Sequence, residues 1–274
     1  MPSVRSPHRR PALLGELAVV AFLLVGYDRV AALAGGHAKA AVRHGADLLR
    51  LERALHVAVE HRLEQGLLPH PLLGRLLSVY YDFAHGTVTV AVLAGLYVFR
   101  PDRYRHARRV LVAVNGLALV VFAVLPVAPP RLLPGAGFAD VVAHSGTWGS
   151  WEASDSSAGR HADLFASLPS LHVASATWVV LAVFAATRRR WLQALAVAHL
   201  LVTVAVVLST GNHYVVDVVA GAALSGGLWR TVPGRAPLDR RGSPPARPEP
   251  RGAAGPALGG HRLPAAGGPA RLTR

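Results

Sequence analysis

The sequence predicts an all-α, polytopic membrane protein, with a bundle of six transmembrane helices and one external amphipathic helix. Hydrophobic residues make up 52% of the 274 residues and are clustered in runs. As helices, runs of about 20 apolar residues cross a bilayer core of roughly 30 Å. Six such runs lie near 11–34, 71–99, 105–127, 168–187, 191–209 and 213–230.

The first and second runs are the least regular, because they are interrupted by Glu16, Asp28, Arg29, Asp82 and His85. The paired arginines at 9–10 are also typical of a signal peptide, and Ala-Leu-Ala at 32–34 resembles a cleavage site. Cleavage would remove one helix and break the even number that the charge pattern supports. We therefore expect an uncleaved first helix.

The positions of the arginines predict the orientation. The net charge is +14, and a strongly basic chain can indicate nucleic-acid binding. Here, however, arginines collect at alternate ends of the apolar runs, at 5–10, 100–109, 188–190 and beyond 230. Because positive residues mark cytoplasmic loops, both termini are predicted to be cytoplasmic. The pattern favours a multi-pass protein of the cell membrane and no nucleic-acid partner.

Two segments lie outside the runs. At 36–66, apolar residues at near-helical spacing alternate with charges, which predicts a helix lying in the interface or packed externally on the bundle. The segment 128–167 is rich in Pro, Gly and Ser and is predicted to be either a lipid-entry lid or a connector. Aromatic anchors for it are Phe138, Trp148 and Trp151.

The chain therefore divides into three parts. Residues 1–10 form a cytoplasmic N-terminus, and 11–230 form the membrane domain, with the polar motifs within 126–221. Residues 231–274 are rich in Arg, Pro and Gly and predict a disordered cytoplasmic tail. The chain has no cysteine, so disulfides and thiolate metal sites are excluded.

The strongest chemical motif pairs His213 with Asp217, directly before an apolar run. On a helix, residues four apart share a face, so the carboxylate can reach the imidazole. A carboxylate on one ring nitrogen fixes the tautomer and leaves the other nitrogen as a base or nucleophile. Ionisable groups at the end of a membrane helix are costly and indicate a function.

A second histidine, His172, ends the sequence Ser-Leu-Pro-Ser-Leu-His at 167–172. Ser167 suits a helix N-cap and Pro169 the first turn. The amides near Ser170 would then form an anion site, strengthened by the helix dipole, with His172 facing it. The alternative is a simple cap with a histidine at the membrane boundary.

Arg131 follows a proline-rich end of the third run. Its guanidinium can grip phosphate oxygens in bidentate fashion, or it can be an interfacial arginine whose stem lies along apolar surface. His85 and Asp82 are predicted either to support the site or to line a headgroup pocket. Asn115 and His199 are expected to be hydrogen-bonded inside the bundle, and Tyr214 is expected to serve packing or to lie at the interface rather than to act in catalysis.

These motifs resemble a known family. Pro-Ser-Leu-His at 169–172 and Gly-Asn-His-Tyr-Val-Val-Asp at 211–217 are similar to the second and third signature motifs of the type 2 phosphatidic acid phosphatase superfamily. Ala-Pro-Pro-Arg at 128–131 and the segment at 80–85 are more like its inositolphosphotransferase branch, which includes inositol phosphorylceramide synthases. The resemblance covers about 75–231.

The resemblance implies a role for each motif residue. His213 would be the nucleophile that forms a phosphohistidine, and Asp217 would orient it. His172 would protonate the leaving oxygen, while Ser170 and Arg131 would bind phosphate. The family has a six-helix core and works without a metal or other cofactor.

The chain also departs from the phosphatase pattern. Val206 and Val207 stand where the third motif has Ser-Arg, and the lysine of the first motif is missing. The Arg-Pro pair at 100–101 is predicted to be cytoplasmic, so Arg131 is the expected substitute. The loss of cationic ligands favours the transferase-like branch.

The predicted function is a membrane lipid phosphatase or phosphotransferase that acts on a lipid phosphate at the external leaflet. One alternative is a transporter that uses His and Asp as a proton relay, although the key residues lie at helix ends rather than mid-helix. Another is a membrane scaffold that keeps a decayed site. We do not expect these histidines to bind a metal, because the sequence has no further external ligands near them.

Overall fold

The computed structural model describes residues 37–141 and 165–233, together with Leu14, Gly15, Ala18, Val25, Gly26 and Arg29. Within the two continuous ranges the regular structure is helical, which confirms the all-α prediction there. The seven α-helices are α1 (Ala38–Ala54), α2 (Glu60–Leu67), α3 (Pro71–Phe99), α4 (Pro101–Val124), α5 (Leu171–Ala186), α6 (Arg190–Ser209) and α7 (Val215–Thr231). A 3₁₀ turn, Pro130–Leu132, precedes the segment that leads to α5.

Three of these helices, α3, α4 and α6, are long and apolar enough to cross a membrane. Helix α5 is also apolar but is shorter than these three, with 16 residues. Helix α7 is shorter as well, with 17 residues. These elements suggest a membrane protein. Most of the predicted first run lies outside the described residues, as do Trp148, Trp151 and the tail beyond residue 233.

The single amphipathic helix predicted over 36–66 is wrong, because the chain forms two helices there. Helix α1 ends in a Schellman motif, in which the N–H of Val57 donates to the Glu52 carbonyl and that of His56 to the Arg53 carbonyl. His56 has a φ of +58°, the left-handed conformation that this motif requires. The turn redirects the chain, so α1 and α2 are separate elements.

Helix α5 forms the centre of the bundle and packs against α3, α4, α6 and α7. It is apolar around its whole circumference, as expected for a helix surrounded by others. Trp178 is fully buried, and its indole N–H donates to the Ala107 carbonyl of α4 at 2.8 Å. That bond satisfies the one polar group of a large core side chain.

Helices α5 and α7 approach each other closely at Gly221. A Cβ added there would lie 2.4 Å from the carbonyl oxygen of Ser170. One turn further on, the Ser225 hydroxyl donates to the Ala174 carbonyl at 2.6 Å. This contact fixes the beginning of α5 against α7.

We expect Gly221→Ala to lower the melting temperature in detergent, because the new methyl group meets backbone rather than a flexible side chain. Overpacking of this kind costs about 1–3 kcal/mol. Gly226→Ala on the same helix is the matched control, since a Cβ there meets nothing within 4 Å. Equal melting temperatures for the two variants would contradict the close α5–α7 contact.

Candidate active site

The two histidines and the aspartate of the polar motifs lie together where α5 and α7 begin. His172 is the second residue of α5, His213 lies in the α6–α7 connection, and Asp217 is in the first turn of α7. The ring centroids of His172 and His213 are 5.7 Å apart, with the ring planes at 59°. The structure thus brings together three residues from two distant segments.

The surroundings of His213 define its tautomer. Nδ1 lies 3.0 Å from the carbonyl oxygen of Ser167 and 3.3 Å from Oδ2 of Asp217. A carbonyl oxygen only accepts hydrogen bonds, so Nδ1 carries the proton and the lone pair is on Nε2. Nε2 is buried and has no hydrogen-bond partner among the described residues. The ring therefore offers an unoccupied basic nitrogen.

Oδ2 of Asp217 accepts from more than His213. It also accepts from the Tyr214 N–H at 3.0 Å and from the Ser167 hydroxyl. Asp217 is fully buried in the first turn of α7, where a negative group interacts favourably with the helix dipole. These contacts fix the carboxylate against the ring.

His172 is held by its neighbours on α3. Its Nε2 lies 3.2 Å from the Tyr81 carbonyl, so this nitrogen donates and Nδ1 is left for other partners. The ring stacks on Tyr81 at 4.1 Å and lies 4.0 Å from the His85 ring, centroid to centroid. His85 therefore lies at the site. Partly buried Asp82 follows Tyr81 on α3, and its role stays a prediction.

The predicted cap of the helix that carries His172 is wrong. Helix α5 begins at Leu171, and its N-cap is Ser170, whose hydroxyl oxygen accepts from the Val173 N–H at 3.4 Å. The Ser170 N–H donates to the Asp217 carbonyl at 3.1 Å, so it is not a free donor for an anion. Ser167, three residues before the cap, contacts His213 and Asp217 instead.

Arg131 lies in the 3₁₀ turn with only 1% of its side chain exposed, which rules out the interfacial-arginine alternative. Nε donates to Oδ1 of Asn212 at 2.6 Å, and Nη1 to Oδ2 of Asp140 at 3.0 Å. The guanidinium therefore contacts the residue that directly precedes His213. Its charge is partly balanced by Asp140.

Main-chain hydrogen bonds join the three polar segments. In each bond the N–H of one segment donates to a carbonyl of another. The bonds run from the Arg131 N–H to the Gly211 carbonyl, from the Ser170 N–H to the Asp217 carbonyl, and from the Ser167 N–H to the Val127 carbonyl. The site is consequently one hydrogen-bonded unit.

The residues expected to serve packing do so. The hydroxyl of fully buried Tyr214 donates to the Ala128 carbonyl at 2.8 Å. Nδ1 of His199 lies 2.7 Å from the Tyr80 hydroxyl, and the Asn115 amide donates to the Leu111 carbonyl of its own helix at 2.8 Å. Each of these groups is hydrogen-bonded within the helix bundle.

Sequence reasoning missed three glutamates near the third motif. Glu52, Glu60 and Glu64 are all fully buried. Glu52 has a signal in the sequence, because it follows Ala41, Gly45 and Leu49 at helical spacing on the buried face of α1. A carboxyl group on an otherwise small, apolar face indicates a specific partner.

Comparison with known proteins identifies the family. Among the described residues, no cluster of three or more His, Asp or Glu side chains could hold a metal ion. No curated protein and no solved structure matches the chain. The sequence pattern of the PAP2 superfamily matches residues 46–230, a range that includes every motif residue described above. The chain therefore belongs to the PAP2 superfamily of type 2 phosphatidic acid phosphatases and related phosphotransferases.

Proposed function

We propose that the protein is an integral membrane lipid phosphatase or phosphotransferase that works through a phosphohistidine intermediate. It cleaves a phosphoester or phosphodiester of a lipid at the external leaflet, without a metal. The observation that carries this proposal is the state of His213: Nδ1 is held by Ser167 and Asp217, and the lone pair on buried Nε2 has no partner among the described residues.

In the first step, Nε2 of His213 attacks phosphorus, and the bond from phosphorus to the leaving oxygen breaks. The positive charge that develops on the ring is stabilised by the Ser167 carbonyl and Asp217 on the Nδ1 side. Nε2 of His172 is bound to the Tyr81 carbonyl, so in the imidazolium form Nδ1 carries the additional proton and delivers it to the leaving oxygen. Such proton transfer contributes about 10²–10⁴-fold to a rate.

In the second step, water or an alcohol attacks phosphorus and releases His213 from the intermediate. His172 accepts the proton of the attacking hydroxyl on Nδ1, which restores the starting state. The covalent intermediate divides one difficult displacement into two easier ones. Phosphoryl transfer needs mainly positioning and charge stabilisation, which the Arg131 guanidinium and the Ser170 hydroxyl supply to the phosphate oxygens.

The arginines and the direction of α5 support the proposed membrane placement. His172 is at the beginning of α5, whereas Arg188, Arg189 and Arg190 follow its end. The positive-inside bias puts the arginines in the cytoplasm and hence the site at the extracytoplasmic surface. A six-helix core is then completed by the run at 11–34, with α1 and α2 outside it.

The local environment favours the inositolphosphotransferase branch. Val206 and Val207, at the positions of the Ser-Arg pair of the phosphatase motif, are buried in an apolar cluster with Tyr81 and Val173. No phosphate ligand is therefore provided there, and Arg131 is the cation that replaces it.

We expect His213→Ala to reduce phosphate release or transfer by roughly 10³-fold or more, because the nucleophile is removed. EDTA is expected to have little effect on the wild-type protein. The measurement is turnover of a labelled phospholipid by purified protein in mixed micelles. His37→Ala, at an exposed position before α1, is the control, and full activity of His213→Ala would rule out the nucleophile assignment.

A labelled-lipid assay with and without alcohol acceptors distinguishes transfer from hydrolysis. We expect a polyol acceptor to receive the label in preference to water, and vanadate to inhibit by imitating the pentacoordinate phosphorus. Release to water alone would place the protein with the phosphatases. Proton-coupled uptake by liposomes without turnover would instead support a transporter.

We expect Arg131→Lys to lower kcat/KM by about 10- to 100-fold, the equivalent of one lost hydrogen bond to a charged group. Lysine keeps the charge but cannot bind Asn212, Asp140 and a phosphate in the same planar arrangement. The matched control is Arg100→Lys, since Arg100 lies at the α3–α4 junction. A larger effect of Arg100→Lys would make Arg100 the phosphate ligand.

A further inference from the structure

We propose that Glu52 and Glu60 share one proton and, as a carboxyl pair, position the segment that carries His213 and Asp217. Both are positioning residues: they act on the reaction through the main chain of α7. The effect on turnover rests on the proposed function, whereas the shared proton does not.

The pair binds the beginning of α7 from two separate helices. Oε1 of Glu52, on α1, accepts from the Val216 N–H at 2.7 Å. Oε1 of Glu60, on α2, accepts from the Val215 N–H at 2.9 Å. The first N–H groups of a helix have no partner within the helix, so these two carboxyl groups replace the usual cap.

Asp217 completes the arrangement by accepting from the Tyr214 N–H. Three consecutive amides, those of residues 214–216, are therefore each bound by a carboxyl oxygen. His213 directly precedes them, and its Nδ1 is bound on the other side by Ser167 and Asp217. Any shift of these amides consequently moves the nucleophile relative to its hydrogen-bond partners.

The second oxygens of the pair indicate a retained proton. Oε2 of Glu52 and Oε2 of Glu60 are buried and have no protein donor among the described residues. The two carboxyl groups bind the adjacent amides of Val216 and Val215, which keeps them close together, and one proton held between them gives both Oε2 atoms a partner. Both residues are fully buried, where a second negative charge would be costly.

The groups around the pair add negative rather than positive charge. Asp217 of α7 and the hydroxyl of Tyr214, the residue before α7, face it, and Glu64 of α2 lies one turn beyond Glu60. The nearby arginines of α1, Arg50 and Arg53, are exposed. Ionisation of both members of the pair would therefore place three anions around one helix terminus.

The sign of the pH dependence follows from the direction of the shift. Burial raises the pKa of Glu52 from 4.5 to about 8; the Val216 N–H opposes this shift, while the nearby Glu60 carboxyl adds to it. The folded protein thus holds a proton that the unfolded chain releases near pH 4.5. Stability from this source decreases as the pH rises between about 4.5 and about 8, and the positioning of His213 is lost above that range.

The test compares pH profiles of kcat and of melting temperature for the wild type, Glu52→Gln and Glu52→Ala. Glutamine keeps an oxygen for the Val216 N–H and offers an N–H to Glu60, so it imitates the protonated carboxyl without titrating. We expect the wild-type kcat to fall above about pH 8. In Glu52→Gln this fall moves at least about one pH unit higher, and Glu52→Ala is impaired at every pH.

Asp47→Asn is the matched control, because Asp47 lies on α1 and is exposed; its profiles should follow the wild type. KM should change little in Glu52→Gln, since phosphate is bound elsewhere. An alkaline fall that stays in place in Glu52→Gln, in both kcat and melting temperature, would overturn the proposal.

Melting temperatures separate the two proposals. If no substrate is turned over, the proposed function fails, but a flatter melting profile in Glu52→Gln still supports the shared proton. If Glu52→Gln does not fold, Glu60→Gln provides the mirror experiment. If neither folds, the infrared carbonyl band of a protonated carboxyl must be present in the wild type at pH 7 and disappear above pH 8. Its absence at pH 7 would overturn the proposal.

Discussion

The hydrogen bond from Nδ1 of His213 to the Ser167 carbonyl, at 3.0 Å, is the interaction on which the site depends. It joins two segments that are 46 residues apart, and it sets the protonation of the ring, because a carbonyl never donates. Asp217 strengthens this arrangement but cannot define it alone, since a carboxyl group can also donate when protonated. The partner that fixes the tautomer is therefore main chain, which substitution of the side chain does not remove.

Buried polar groups are costly unless they are hydrogen-bonded, and the first two helices use this constraint. Helices α1 and α2 bring fully buried glutamates to the beginning of α7, where main-chain amides need acceptors. The carboxyl groups gain hydrogen-bond donors and the first amides of α7 gain acceptors. Each group therefore offsets the free-energy cost of removing the other from water. The same logic applies to Arg131, whose buried guanidinium is bound by Asn212 and Asp140. These buried charged side chains thus serve to hold the residues that surround His213.

Hydropathy predicted five of the described helices well, and α3 has the predicted bounds of 71–99. Hydropathy did not predict the helix ends that depend on local backbone geometry. The break after α1 needs His56 in a left-handed conformation, which few residues other than glycine adopt readily. The cap of α5 is Ser170 rather than Ser167, because Ser167 has partners in a distant segment. A pattern of apolar residues does not contain that information.

By itself, the sequence determined the all-helical class, the apolar helices and the residues of the polar motifs. These features depend on residues close together in the chain, where spacing and composition are sufficient. Only the tertiary structure decided which nitrogen of His213 carries the proton, that Arg131 is buried, and that Glu52 and Glu60 cap α7. Those outcomes depend on contacts between residues as much as 164 positions apart, and hydrogen bonds of that range leave no periodic trace in the sequence.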